Sequence, residues 1–114
     1  MTQSPFQRLS RDQADPVTSR PAPEKVIAVD PVFTSWDIEE REGLYAGLWQ
    51  STPGCWRIAY EEWEYCHILQ GLSILTQDDG TRHELRAGDS FLIRPGFRGT
   101  WEVVETVRKY FVFA

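Results

Sequence analysis

A chain of 114 residues with 41% hydrophobic and 13% aromatic side chains supports one packed core and is short for two ordinary domains. The formal net charge of -5, with no Lys/Arg cluster, excludes the electrostatic footprint of a nucleic-acid binder. No apolar run approaches a membrane span, Met1 to Ser10 is polar where a secretory signal would be apolar, and Cys55 and Cys66 match neither a disulfide framework nor a zinc spacing; a soluble, cytoplasmic protein with reduced thiols is expected.

The N-terminal part is rich in proline (Pro5, Pro16, Pro21, Pro23) and poor in apolar side chains, so it buries too little surface to offset its ordering entropy. Residues 1–39 are accordingly expected to form a partly disordered arm, with the folded domain spanning 40–114. Within the arm, Val26 to Val29 is a short β-prone run closed by Asp30-Pro31, suited to lie on the domain edge or on a second subunit. Beyond it the pattern is strand after strand. Leu44 to Gln50, Trp56 to Tyr60, Cys66 to Thr76, Thr81 to Leu85, Ser90 to Arg94, Thr100 to Val104 and Val107 to Phe113 are rich in β-branched and aromatic residues. Gly71, Gly80, Gly88 and Gly96 punctuate them at regular intervals, and Asp78-Asp79-Gly80 is a hairpin signal. No stretch has sustained helical periodicity, so the spacing predicts an all-β sandwich or barrel.

Two segments carry a family signature: GCWRIAYEEWEYCHILQGLSILT at 54–76 and GDSFLIRPGFRGTWEV at 88–103. They resemble the two motifs of the cupin superfamily. Glu64 and Gly71 fit the glutamate and closing glycine of the first motif, and Gly88 and Gly96 fit the glycines of the second. With Thr52-Pro53-Gly54, Tyr60-Glu61-Glu62 and Gly99-Thr100-Trp101, the sequence is similar to the ureidoglycine aminohydrolase-like cupin domain family. The resemblance implies an RmlC-like cupin jelly-roll β-barrel, and a metal held by three histidines and a glutamate. The paired first-motif histidines fall on Ile58 and Tyr60, or on Arg57 and Ala59, and the second-motif histidine falls on Gly99. Only Glu64 remains of the usual ligands, and His67 and His83 are the only histidines in the chain. No metal and no other cofactor is therefore expected.

Alternation along a strand places Cys66 and Ile68 on the face of Glu64, and Tyr65, His67 and Leu69 on the other. His67 is thus expected in an outer face and His83 in solvent. For Glu64 two roles stand side by side: a pocket anchor or acid/base group, the one catalytic candidate, or a structural acceptor for Tyr60 or a backbone amide. Cys66 reads as a small core residue with no histidine on its face to activate it. Trp56, Tyr60, Glu64, Cys66 and Trp101 form the expected ligand-binding set, with Trp63 and Phe97 completing the aromatic group around the motifs. Arg57, Arg94 and Arg98 would make a cationic lip if they converged; Glu61 and Glu62 read as a solvated acidic edge.

Three functions fit this pattern. One is a protein that binds a small nitrogenous metabolite in the barrel without a stoichiometric metal. A second, implied by the resemblance, is a metal-dependent amidohydrolase-like enzyme, and a third is a structural dimerisation module. A homodimer is expected in each case, because the outward set Tyr65, His67 and Leu69 is more apolar than a solvated face.

Overall fold

The computed structural model describes residues 4–114, so the first three positions of the expected arm lie outside the described residues. Two single-turn 3-10 helices, Arg11–Gln13 and Pro23–Lys25, accompany nine strands among the described residues: β1 (Val17–Ser19), β2 (Val26–Ala28), β3 (Phe33–Arg41), β4 (Leu44–Ser51), β5 (Gly54–Ala59), β6 (Glu64–Gln77), β7 (Arg82–Arg86), β8 (Ser90–Ile93) and β9 (Arg98–Phe113). All pairings are antiparallel, and the sheet curls as a cupin jelly-roll barrel does.

Strand β9 organises the barrel. It pairs with β6 on one side along nearly its whole length, while on its other side the N-terminal half pairs with β5 and the C-terminal half with β4. One continuous strand thus serves both walls. The sequence predicted two strands here, with a break at Glu105 and Thr106. Instead the chain bends without ending, because β6 carries successive register shifts between Ile68 and Ser73 directly across from those residues. At the bend Gly71 has a φ of +90°, and a Cβ there would lie 2.2 Å from the Thr106 carbonyl oxygen. Glycine is required for both reasons.

The sheet begins earlier than the sequence predicted. β3 crosses the expected boundary at residue 40 and pairs with β4 from Phe33 to Arg41, β1 pairs with β3, and β2 pairs with β5 of the same chain. The Val26 to Val29 run therefore takes the domain edge. β3 escapes a sequence reading because Asp37, Glu39, Glu40 and Arg41 make its C-terminal half polar. The Asp78-Asp79-Gly80 turn forms as expected, with Gly80 N donating to the Gln77 carbonyl at 2.8 Å and Thr81 N donating to the Asp79 carboxylate at 2.9 Å.

Trp56, Ile68, Leu75, Leu85, Ile93, Trp101, Val103 and Val107 form the buried apolar core. Along β6 the side chains alternate as predicted: Glu64, Cys66 and Ile68 are buried, while Tyr65, His67 and Leu69 are partly exposed. Burial of these apolar faces is the main stabilising contribution to the barrel.

Gly71→Ala is expected to destabilise the fold severely or to prevent folding, since backbone must move. Gly80→Ala, at a φ of +93° but with open space around it, should cost about 1 kcal/mol. Urea denaturation of both variants compares the two positions, and similar losses would refute the close-approach argument.

Candidate functional site

Cross-strand register assembles the site. On the inner face, directly opposed residues form rows that run from β3 through β4 and β9 to β6: Ser35, Trp49, Lys109 and Ile68 in one, and Asp37, Gly47, Phe111 and Cys66 in the next. A third row begins at β4 with Tyr45 and continues through Phe113 to Glu64. The facing wall brings Trp56 of β5 opposite Trp101 of β9, and their rings stack with centroids 6.2 Å apart and planes inclined by 6°. Between the walls lies an aromatic cavity of about 350 Å³. Phe33, Trp49, Trp56, Tyr60, Trp101, Phe111 and Phe113 supply its walls, Glu64 and Lys109 its floor, and Ser35, Asp37 and Tyr45 its mouth.

The floor is a closed polar network. The Tyr60 hydroxyl donates to Glu64 Oε1 at 2.7 Å, and Lys109 Nζ donates to Glu64 Oε2 at 3.0 Å and to Cys66 Sγ at 3.4 Å. Glu64 and Lys109 are 1% and 3% exposed, so both charges are out of water. The ammonium also lies 4.4 Å from the Trp101 ring centroid and 4.8 Å from that of Trp49, within cation–π range of both. Trp101 is fixed in turn by Nε1 donating to Ser73 Oγ at 3.1 Å. Tyr60 is pinned through its backbone, its N–H donating to the Phe97 carbonyl and its carbonyl accepting from Gly96 N. Among the described residues, no buried side-chain nitrogen or oxygen lacks a partner.

Protonation states follow from this packing. Burial, and then the Glu64 carboxylate, hold the Tyr60 phenol well above its ordinary range. Burial pushes the Cys66 thiol up to about 12, against the partial relief given by Lys109. For Lys109, burial pulls downward, but the Cys66 sulfur and the Glu64 carboxylate more than offset it, so the ammonium titrates above an ordinary lysine.

Of the residues expected to bind a ligand, Trp56, Tyr60, Glu64 and Trp101 line the cavity together. Cys66 does not. It is fully buried with its sulfur 3.4 Å from Lys109 Nζ, beside its β9 partner Phe111, which does line the cavity. Glu64 accepts from the Tyr60 hydroxyl, as its structural role predicted, and it also lines the cavity. His67 is on the outer face, bonded through Nδ1 to Ser90 Oγ and stacked on Tyr110, and His83 is exposed beside Gln77. The three arginines form no lip: Arg57 pairs with Asp78, Arg98 pairs with Glu61, and Arg94 borders a separate hollow.

The sequence reading missed Lys109, Trp49, Phe33, Phe111 and Phe113, and the mouth residues Ser35 and Asp37. A signal for Lys109 was present, since it alternates with Val107 and Phe111 on a face that is otherwise apolar. The cupin metal does not fit this donor set. Ile58 and Gly99, two of the positions where motif histidines would fall, face each other as strand partners, and Tyr60 and Lys109 already satisfy Glu64. Among the described residues, no group of three or more His, Cys, Asp or Glu is placed to hold a metal ion.

A family model for the EutQ-like cupin domain matches residues 38–111. A crystal structure of a DUF861 family protein of unknown function from Pseudomonas syringae pv. tomato is similar at 24% identity and a TM-score of 0.83, covering 93% of this chain. This chain spans only 46% of that protein. The EutQ protein of Clostridium difficile is similar at 16% identity and a TM-score of 0.65, covering 73% of this chain and 68% of that one. A DUF861 family protein from Thermotoga maritima shares 31% identity over 56% of this chain and 73% of its own, with a TM-score of 0.55. No curated protein matches the sequence. No helix among the described residues is long and apolar enough to cross a membrane.

Removing one member of the buried pair leaves the other charge unpaired, so Lys109→Met should destabilise by about 3–5 kcal/mol. Adding Glu64→Gln removes the stranded charge, and the double variant should recover most of that loss. Additive losses in a urea double-mutant cycle would show that the two side chains act independently.

The three pKa shifts have one sign. A group whose pKa is raised by folding contributes stability that is intact below its unfolded value and is lost as pH rises through its folded value; for Cys66 this window runs from 9.0 to about 12. Melting temperature should therefore fall across that range. Cys66→Ala, less stable at neutral pH, should show a shallower alkaline decline, and calorimetry returning an unchanged slope would remove Cys66 as a source.

Proposed function

This chain belongs to the EutQ-like cupin domain family, and from that premise we propose that it binds a small nitrogenous metabolite in the barrel without a stoichiometric metal. The observation that carries the reading is the aromatic cavity whose floor is an internally neutralised Glu64–Lys109 pair. A volume of about 350 Å³ is at the small end of ligand sites, and apolar walls with a few convergent polar groups are their usual composition. In the family pattern the retained glutamate would face a metal cation; here the Lys109 ammonium meets it at 3.0 Å. Positive charge is thus supplied by the chain.

The finer resemblance to ureidoglycine aminohydrolase-like cupins supports a second reading, amidohydrolase-like turnover. The donor set speaks against its metal-dependent form, and Tyr60, Cys66 and Lys109 all titrate above neutrality, where none is poised as a general base. Binding is the better supported role.

Incubation with manganese, iron, nickel or zinc salts followed by desalting should leave far less than one equivalent of metal per chain by elemental analysis. In a thermal-shift screen of nitrogenous metabolites, hits should be weakened by Trp101→Ala. A stoichiometric metal lost on Glu64→Ala, or hits indifferent to Trp101→Ala, would overturn the proposal.

A further inference from the structure

Three charged side chains line the cavity: Asp37, Glu64 and Lys109. Glu64 and Lys109 face each other at 3.0 Å and cancel, so the floor carries no net charge for a ligand to meet. Asp37 is different. It is exposed at the mouth and has no ion-pair partner among the described residues, and Ser35 Oγ donates to its carboxylate at 2.6 Å and holds it there. Its cross-strand neighbour is Gly47, which has no side chain to cover it. The register shift between Asp37 and Glu39 falls immediately after it, so Phe33, Ser35 and Asp37 share the cavity face and that alternation ends at the mouth.

We infer that the cavity selects an organic monocation, an amine with an apolar or aromatic body, with Asp37 as its charge-recognising residue. The inference rests on the proposed reading of the cavity as a ligand site, and it moves the anchor from Glu64 to Asp37. The lining sums to one uncompensated negative charge. The aromatic walls favour the same sign, because indole and phenyl faces attract cations, and Trp49 and Trp101 already hold the Lys109 ammonium. That resident ammonium also sets the orientation. A second cation placed near the floor would be repelled by it, so the ligand's ammonium group lies at the mouth against Asp37 and its apolar body extends inward past Phe33 and Trp49.

Three molecules with a common phenethyl body test this: phenethylamine, the uncharged 2-phenylethanol, and the anionic 3-phenylpropanoate, titrated calorimetrically into the full chain and into the Asp37→Asn and Phe33→Ala variants. The amine should bind at least about tenfold more tightly than the alcohol, equivalent to about 1.4 kcal/mol, and the carboxylate should bind most weakly. Asp37→Asn should erase the amine's advantage while leaving alcohol binding unchanged, which also establishes that the variant is folded. Phe33→Ala should weaken amine and alcohol alike. Equal affinities for amine and alcohol, or an amine affinity untouched by Asp37→Asn, would overturn the cation assignment and leave the cavity as a neutral ligand site. Failure of all three molecules to bind, or binding indifferent to Phe33→Ala, would overturn the ligand-site reading as well.

Discussion

The Glu64–Lys109 pair is the constraint on which the site depends. Removing two opposite charges from water in the interior of a small barrel carries a desolvation penalty of several kcal/mol per ion, which the direct contact offsets only when the remaining hydrogen-bonding capacity is also met. Here it is met on every side. Tyr60 takes the second carboxylate oxygen, Cys66 takes a second ammonium proton, and two indole faces border the rest of the cation. Each partner is then constrained: Tyr60 must stay a phenol, Cys66 a thiol, and Trp49 and Trp101 must keep their faces toward Nζ. Much of the cavity's shape is a consequence of solvating one ion pair without water.

The pair in turn depends on the long strands. Glu64 is the first residue of β6, and Lys109 lies near the end of β9, across from Ile68. They meet because inner-face side chains of adjacent strands stay in one register along the stretch before the bend, with Trp49 of β4 on the far side of Lys109. Beyond the bend, the same two strands deliver Ser73 and Trp101 to the opposite wall. A glycine that lets two strands bend together at Gly71 therefore determines whether the indole of Trp101 reaches an ammonium that is eight residues away in sequence but on the other wall.

What was legible in the sequence follows the same physics. Strand periodicity and turn residues are local signals, so the strands from Leu44 onward, apart from the continuity of β9 through its bend, the hairpin at Gly80 and the burial of Glu64 and Cys66 could be read directly. Pairing partners are not local. Lys109 among Val107 and Phe111 is an inward charge only once that face is known to be the core, and its partner is on another strand. Asp37 was harder still, because it opens the polar half of β3, where Asp37, Glu40 and Arg41 are exposed and the sequence carries no apolar alternation. Cys66 illustrates the converse: strand parity gave its inward direction, but parity does not distinguish a side chain buried against Lys109 from one that lines the cavity.

Fold and site therefore answer different questions. The barrel is shared with proteins whose identity to this chain is low, and a shared barrel does not carry a shared chemistry. What distinguishes this chain is where its charges are. In a metal-binding barrel the cation is exchangeable, its open coordination position faces the ligand, and its Lewis acidity is available for reaction. A lysine on a strand is a permanent cation of low Lewis acidity, and one that is already bonded to a carboxylate and a thiol and capped by two indoles has little left to offer a reacting atom. With the cation supplied by the chain, the floor is internally neutralised, and the lining's one unpaired charge, that of Asp37, lies at the mouth. If the cavity takes a ligand as proposed, selection by charge falls to the entrance, where desolvation is smallest, and the interior is left to recognise shape.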